Sequence, residues 1–148
     1  MVKPEQLQSH ALFGGVADDE LALIIPLFKE ESFAVGTFVV NEGEQGNRMF
    51  FILQGRVEVV KQLKSAPGGH RLAVLSEGDR FGEMELVDVQ KRSASVRVLD
   101  DLKVLTLSNE DMYEIFQHHK DTFIIILMNI AREISRRLRK MEALVASS

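Results

Sequence analysis

The sequence predicts a mainly β fold: an antiparallel β sandwich or jelly roll flanked by an N-terminal helix and a long C-terminal helix. The central part of the 148-residue chain contains several short runs in which polar and apolar residues alternate, with glycine-containing turn signals between them. Helical periodicity is confined to the two ends of the chain. Because no helix-length segment separates the runs, parallel crossovers are excluded, and the strands are expected to pair antiparallel.

The composition agrees with one globular domain spanning residues 1–148. Apolar residues make up 45% and charged residues 27% of the chain, and cysteine is absent, which excludes disulfide scaffolds, thiolate zinc sites and cysteine nucleophiles. The net charge of −4 argues against a generally basic nucleic-acid surface. The chain lacks the apolar core of a signal peptide and the roughly 20 apolar residues of a membrane span. We therefore expect a cytoplasmic protein with no membrane partner.

The N-terminal lead-in, at about 10–30, is expected to contain a short amphipathic helix. Leu21, Ile24 and Phe28 recur at helical spacing, after acidic residues that suit the first turn of a helix. Pro26 should end this helix early, because proline removes a backbone donor and clashes with the preceding turn.

The jelly roll itself is expected over about 33–107. Residues 93–98 alternate polar and apolar side chains, which is typical of a half-buried strand. The remaining runs are separated by short signals that predict turns, with a tight hairpin at the last of them. These signals are Gln54-Gly55, the stretch 66–69 and Asp100-Asp101.

Two helices are expected at the C-terminus, over about 108–146. Ser108 and Asp111 resemble a capping box, and the second helix should run from about Asp121 to Ala146. Its apolar side chains recur at spacings of three and four, which predicts a covering surface, either the chain's own barrel or a second copy. We expect a homodimer through this helix. The predicted seam consists of Phe123, Leu127, Ile130, Ile134, Leu138, Met141 and Val145.

The same helix carries a local excess of positive charge. Residues 132–142 contain five basic and two acidic side chains, against a net charge of −4 for the whole chain. This face could cover an anionic nucleotide or touch DNA, or it could be an ordinary solvated face around the apolar seam. Residues 141–148 are too few for a DNA-reading module, so we expect none in this chain.

The segment that carries chemistry spans residues 75–86 and continues at Arg92. It contains a glycine-flanked turn, the acidic residue Glu83 and an arginine at the mouth of a strand. Backbone amides of such a turn and an arginine fork can form an anion site, and a nearby carboxylate can accept hydrogen bonds from sugar hydroxyls. Phosphate plus ribose is the matching ligand chemistry. The alternative is an internal ion pair between Glu83 and Arg92.

These residues resemble a family signature. Phe81-Gly82-Glu83-Met84-Glu85-Leu86, followed after five residues by Arg92-Ser93-Ala94, resembles the phosphate-binding cassette of cyclic nucleotide-binding domains. That family includes the catabolite activator protein and the regulatory subunits of cyclic-AMP-dependent kinase. The resemblance covers about residues 10–143, and the family's structural glycines fall at the expected turns. They are Gly36, Gly43, Gly55 and Gly78.

The resemblance implies a role for individual residues. Gly82 would let the backbone approach the ligand, Glu83 would accept a hydrogen bond from the ribose 2′-hydroxyl, and Arg92 would pair with the cyclic phosphate. Ser93 could donate to the phosphate or to the purine. The ligand-binding residues predicted in this way are Gly82, Glu83, Met84, Glu85, Leu86, Arg92 and Ser93.

The function implied is that of a non-catalytic sensor. The resemblance implies that it binds cyclic AMP, or cyclic GMP, with the preference given to cyclic AMP. It would signal through the C-terminal helix and need no prosthetic group. Cupin enzymes share the jelly-roll architecture, but the four histidines lack the cupin His-x-His spacing, so we expect neither a metal nor catalysis. The histidines are His10, His70, His118 and His119.

One position departs from the family pattern. Glu85 stands where the family usually has alanine or glycine, and its negative charge would lie near the bound phosphate. The side chain could repel the phosphate, swing outward, or pair with Arg92 and occupy the anion site. The last possibility gives the alternative function, a ligand-free interaction or dimerisation domain of the same fold.

Overall fold

The computed structural model describes residue 7 and residues 10–63, 66–82 and 91–147. It divides into two compact units. A sheet unit comprises Pro26–Asp111, and a helical unit comprises Met1–Ile25 together with Met112–Ser148.

The sheet unit confirms the predicted antiparallel fold. Its strands follow the order β1-β6-β3-β4, with β2 paired to β6 and β5 paired to β3, and every pairing is antiparallel. The strands are β1 (Lys29–Phe33), β2 (Phe38–Val40), β3 (Arg48–Leu63), β4 (Ala66–Leu75), β5 (Arg80–Phe81) and β6 (Ser95–Ser108).

The core of this unit follows from the alternation of side chains along the strands. In β6, Val96 and Val98 are buried while Arg97 between them is exposed, because successive side chains point to opposite faces of a sheet. The inward-facing residues form one apolar cluster. Its buried members are Val40, Phe50, Ile52, Val57, Phe81, Val96, Val98, Leu102 and Val104.

Two of the predicted turns are wrong, because the strands run through them. Gln54-Gly55 lies within β3 and Asp100-Asp101 within β6, at a place where the register between these strands shifts several times. Gly55 has φ +99°, and a Cβ there would collide with the carbonyl oxygen of Asp101. The local signal therefore marks a β-bulge with close backbone approach, and a bulge uses the same residue types as a turn.

The predicted turn at 66–69 is also displaced. Strand β4 already begins at Ala66, so Gly68 and Gly69 lie inside the strand. They lie between His70 and Ala66, whose pairs with Lys61 and Leu63 enclose a register shift, and glycine inside a strand often marks such an irregularity.

The helices agree closely with expectation. Pro26 lies in a 3-10 turn that directly follows the end of the first helix at Ile24, as predicted. The predicted capping box is also confirmed: the Ser108 amide donates to Asp111 Oδ2 and the Asp111 amide donates to Ser108 Oγ, each at 3.1 Å. The helices are α1 (Asp18–Ile24), α2 (Asn109–His118) and α3 (Lys120–Ser147).

Helix α3 has two different halves. In the first half, Thr122, Ile126 and Ile130 are buried. The Asn129 side-chain amide donates to the carbonyl oxygens of Leu12 and Gly14. Ile130 is therefore part of this unit's buried face, so at this position the predicted seam is covered within the chain. From residue 131 to residue 147 no described side chain is buried.

Candidate functional site

Arg92 is a buried arginine that lies just before β6. Only 6% of the residue is exposed, and its guanidinium donates to the carbonyl oxygen of Arg48 at 2.8 Å and to that of Gly82 at 3.4 Å. A buried cation needs hydrogen-bond partners to offset the loss of solvent, and backbone carbonyls supply them here. The arrangement fixes the guanidinium against the glycine that opens the cassette.

Gly82 is required by this close approach. Its φ is +84°, a conformation that side chains rarely adopt. A Cβ at this position would lie 2.7 Å from Arg92 Nη1 and 2.9 Å from the Arg48 carbonyl oxygen. The absence of a side chain at Gly82 therefore leaves room for the Arg92 guanidinium, apart from the room that it would leave for a ligand.

Two aromatic rings support the same place from the core side. Phe50 and Phe81 stack with ring centroids 4.7 Å apart and planes inclined by 12°. The guanidinium carbons of Arg48 and Arg92 lie 5.0 Å and 6.0 Å from the Phe50 centroid, within the range of cation–π attraction. One buried ring thus contacts both arginines and the residue that precedes Gly82.

A small polar cavity of about 100 Å³ lies beside the two arginines. Its lining combines Arg48 and Arg92 with three carboxamide residues and one acidic residue, Glu44. The Arg48 side chain is also paired with Glu31 at 2.8 Å. Such a wall can accommodate water or a small anion. The cavity is lined by Val39, Val40, Asn41, Glu44, Gln45, Asn47, Arg48, Phe50 and Arg92.

The structure brings together some of the sequence-predicted site residues. Gly82 and Arg92 meet, as described above, and Ser93 follows with an exposed side chain. The other predicted site residues lie outside the described residues. They are Glu83, Met84, Glu85 and Leu86.

Sequence reasoning missed the apolar wall on the inward side of β3 and β4. Val59 and Ala73 are directly opposite each other in the antiparallel register, and Val59 packs against the core cluster. Ala73 shares the inward face with Val59 yet is exposed. The alternation in these strands could have identified the pair, but only the register places them together.

The contribution of Arg48 was also missed. Its backbone carbonyl accepts from Arg92, and no side-chain pattern predicts the use of a particular carbonyl group. Among the described residues, no group of three or more His, Asp or Glu side chains is arranged to hold a metal ion. Within the same part of the chain, no helix has the length and apolar character needed to cross a membrane.

Comparison with known proteins gives the family. Residues 30–119, more than half of the chain, match the family model described as "Cyclic nucleotide-binding domain". The chain is 28% identical over 138 residues to the cyclic AMP receptor protein of Thermus thermophilus, covering 92% of this chain and 61% of that protein. It is 34% identical over 106 residues to cGMP-dependent protein kinase, isozyme 1, of Drosophila melanogaster, covering 70% of this chain and 14% of the kinase.

A solved structure supports the same conclusion. The crystal structure of the catabolite activator protein of Thermus thermophilus matches with a TM-score of 0.81 and 27% identity, over 92% of this chain and 62% of that one. The chain thus spans less than two thirds of the length of each of these relatives. The antiparallel strands, the buried arginine beside Gly82 and the family match agree: this chain belongs to the family of cyclic nucleotide-binding domains.

Proposed function

We propose that the chain is a non-catalytic cytoplasmic sensor that binds a cyclic nucleotide, with cyclic AMP preferred to cyclic GMP. The observation that carries the proposal is the buried guanidinium of Arg92, held at 3.4 Å from the Gly82 carbonyl. Arginine matches a phosphate in charge and in hydrogen-bond geometry. The relatives support the ligand class, since one is named for cyclic AMP and another for cyclic GMP.

The proposed binding mode assigns each part of the ligand to a different group. Arg92 pairs with the cyclic phosphate, Gly82 contributes backbone, and Glu83 accepts from the ribose 2′-hydroxyl. Ser93 donates to the phosphate or to the purine. The exposed, inward-facing Ala73 beside Val59 offers apolar surface to the base, because base faces favour contact with apolar side chains.

The test is calorimetric titration of the full chain with both cyclic nucleotides. Arg92→Ala should weaken binding by about 1.5–3 kcal/mol, the range for a hydrogen bond to a charged group. Arg56→Ala is the matched control, because Arg56 is an exposed arginine whose partner is Asp100. Undiminished affinity in Arg92→Ala would remove this residue from the phosphate role, and absence of binding to either nucleotide would favour the ligand-free interaction domain.

We also propose that the chain dimerises through α3 and that this helix carries the signal. Seven residues recur at alternating spacings of three and four, which is a heptad pattern, and all seven are exposed. The six larger ones have exposures from 38% to 75%. A continuous apolar stripe of this kind marks an interaction surface. The stripe consists of Ile124, Leu127, Ala131, Ile134, Leu138, Met141 and Val145.

The flanking charges support a second copy in parallel orientation. In the heptad set by this stripe, Arg137 takes a g position and Glu142 the following e position. A parallel pair of helices brings g of one helix to e of the other, so both flanks would gain an opposite-charge pair. Arg137 would share or exchange its bond to Glu133 on the same helix, which is 2.8 Å long. An antiparallel pair joins g to g and e to e, and no such pair forms. A ligand-dependent shift of α3 between two positions in one copy would then also change the position of α3 in the other copy.

A further inference from the structure

The backbone on either side of Arg92 is held by the turn at residues 41–45. The Arg92 amide donates to the Glu44 carbonyl at 2.7 Å, and the Arg92 carbonyl accepts from the Gly43 amide at 2.8 Å. This reciprocal pair fixes both peptide groups of the arginine. The turn is far from Arg92 in sequence, so its own attachment decides how firmly the arginine is placed.

Ser95, the first residue of β6, attaches that turn to the strand that follows Arg92. Its hydroxyl oxygen accepts a hydrogen bond from the Glu42 amide at 2.9 Å, in a partly buried position. The Glu42 carboxylate in turn accepts a hydrogen bond from the backbone amide of Gln62 at 3.0 Å. Glu42 therefore links the start of β6 with the end of β3, and Ser95 supplies the side-chain contact on the β6 side.

Lys61 holds the residue next to Arg92. Its ammonium group donates to the Ser93 carbonyl oxygen at 2.7 Å. Hydrogen bonds from a charged donor are roughly twice as strong as neutral ones. With Ser95, this gives the segment Arg92–Ser95 one side-chain anchor near each end, in addition to the backbone pair at Arg92.

We propose that Lys61 and Ser95 are positioning residues that hold Arg92 ready for an anionic ligand and act on that ligand through Arg92. Fixing a binding group in advance raises affinity, because less conformational freedom is lost when the ligand arrives. The proposal rests on the proposed function in one respect, namely that the anion is the phosphate of a cyclic nucleotide. The positioning itself is a property of the ligand-free chain and can be measured there.

The first measurement is calorimetric titration of the full chain with cyclic AMP. Ser95→Ala and Lys61→Met should each weaken binding by about three- to tenfold, the effect of losing one intramolecular hydrogen bond. Ser95→Thr keeps the hydroxyl and should restore the affinity. Ser32→Ala and Lys103→Met are matched controls, because they remove the same groups from a pair of opposite residues in β1 and β6 that takes no part in the contacts described for Arg92–Ser95. These controls should leave the affinity unchanged.

A double-mutant cycle separates positioning from direct contact. In an Arg92→Ala background, Ser95→Ala and Lys61→Met should have no further effect, since the residue through which they act is gone. A full effect in that background would overturn the proposal, because it would mean that these side chains bind the ligand themselves or act only on stability.

The second measurement needs no nucleotide. Hydrogen exchange followed by NMR should show the Arg92 and Gly43 amides exchanging about tenfold faster in Ser95→Ala, while the Val104 amide in the middle of β6 is unchanged. If the wild-type chain binds no cyclic nucleotide, the proposed function fails, and the exchange rates still decide whether Arg92 is positioned. Unchanged exchange rates of the Arg92 and Gly43 amides in both Ser95→Ala and Lys61→Met would refute the positioning role.

Discussion

The side chains of two regions have opposite environments. The regions are the segment Arg92–Ser95 and the second half of α3, residues 131–147. In the first, a buried guanidinium, a carbonyl and a hydroxyl all find partners within the sheet unit. In the second, large apolar side chains remain exposed along the whole length. Buried polar groups must be paired inside the fold, whereas a continuous apolar stripe is stabilised by another surface. The first region is thus completed within one chain, and the second is the region for which we propose a partner.

The strongest test of this contrast is Ile134→Glu. In the proposed dimer it places two carboxylates in the apolar seam, and removing such charges from water costs several kcal/mol per ion. We expect the dimer dissociation constant to rise by at least about a hundredfold, equivalent to ~3 kcal/mol. Sedimentation velocity across a concentration series measures it, and the thermal midpoint of the monomer should be preserved.

Ala143→Glu is the matched control for this substitution. It adds the same charge to the same half of α3 at an f position of the heptad, outside the stripe, and should leave the dimer intact. A wild-type chain that sediments as a monomer at high micromolar concentration would contradict the dimer itself.

Gly82→Ala tests how completely the Arg92 region is packed. A Cβ there meets the Arg48 carbonyl and the Arg92 guanidinium and also strains the backbone. The free energy of unfolding should fall by about 2–3 kcal/mol, as judged from the costs of positive φ and of overpacking. Gly36→Ala has a similar φ of +88° but open space around its Cβ, so it should cost only about 1 kcal/mol. Equal losses in urea denaturation would mean that the close approach is unimportant.

Glu85→Ala tests whether the carboxylate of Glu85 weakens the binding of the ligand. Glu85 lies outside the described residues, and the sequence places it in the cassette. Two like charges about 5 Å apart repel by about 3 kcal/mol at an effective dielectric near 20, before salt screening. We expect the variant to bind cyclic nucleotide about ten- to a hundredfold more tightly, with a smaller gain at high salt. Titration at two ionic strengths measures this, and unchanged or weaker binding would show that the carboxylate does not repel the ligand.

Asp100→Asn should give the smallest effect, because its ion pair lies on the surface. The pKa of the Asp100 carboxyl is lowered chiefly by the hydrogen bond from Arg56, at 2.6 Å. A lowered pKa in the folded state stabilises the fold at neutral pH, and this contribution is lost as the carboxylate is protonated on acidification. The wild type should therefore lose slightly more stability than Asp100→Asn between pH 7 and about pH 3. A large difference in thermal midpoint between the two proteins would contradict the small contribution expected of a surface ion pair.

Several features were predictable from sequence because their causes are local. Pro26 ends a helix through its own ring, and Ser108 caps a helix through a residue three positions away. The cassette from Gly82 to Arg92 was recognisable because the residues that would touch one ligand lie close together in the chain. Alternation and helical periodicity likewise fixed the antiparallel class and the two terminal helical regions.

Other features were decided only when distant parts of the chain met. Gly55 marks a bulge and not a turn because β6 continues past it. Glycine is common in both kinds of structure, so the residue type cannot distinguish them. Ile130 is buried while Ile134, one turn later, is exposed, although both fit the same helical period. Lys61 and Ser93 are 32 positions apart, and only the strand register brings the ammonium to the carbonyl. The sequence by itself thus determined the fold class, through local propensity and spacing, and the family, through the resemblance of the cassette. Burial and contact depend on what packs opposite, and that is a property of the folded chain.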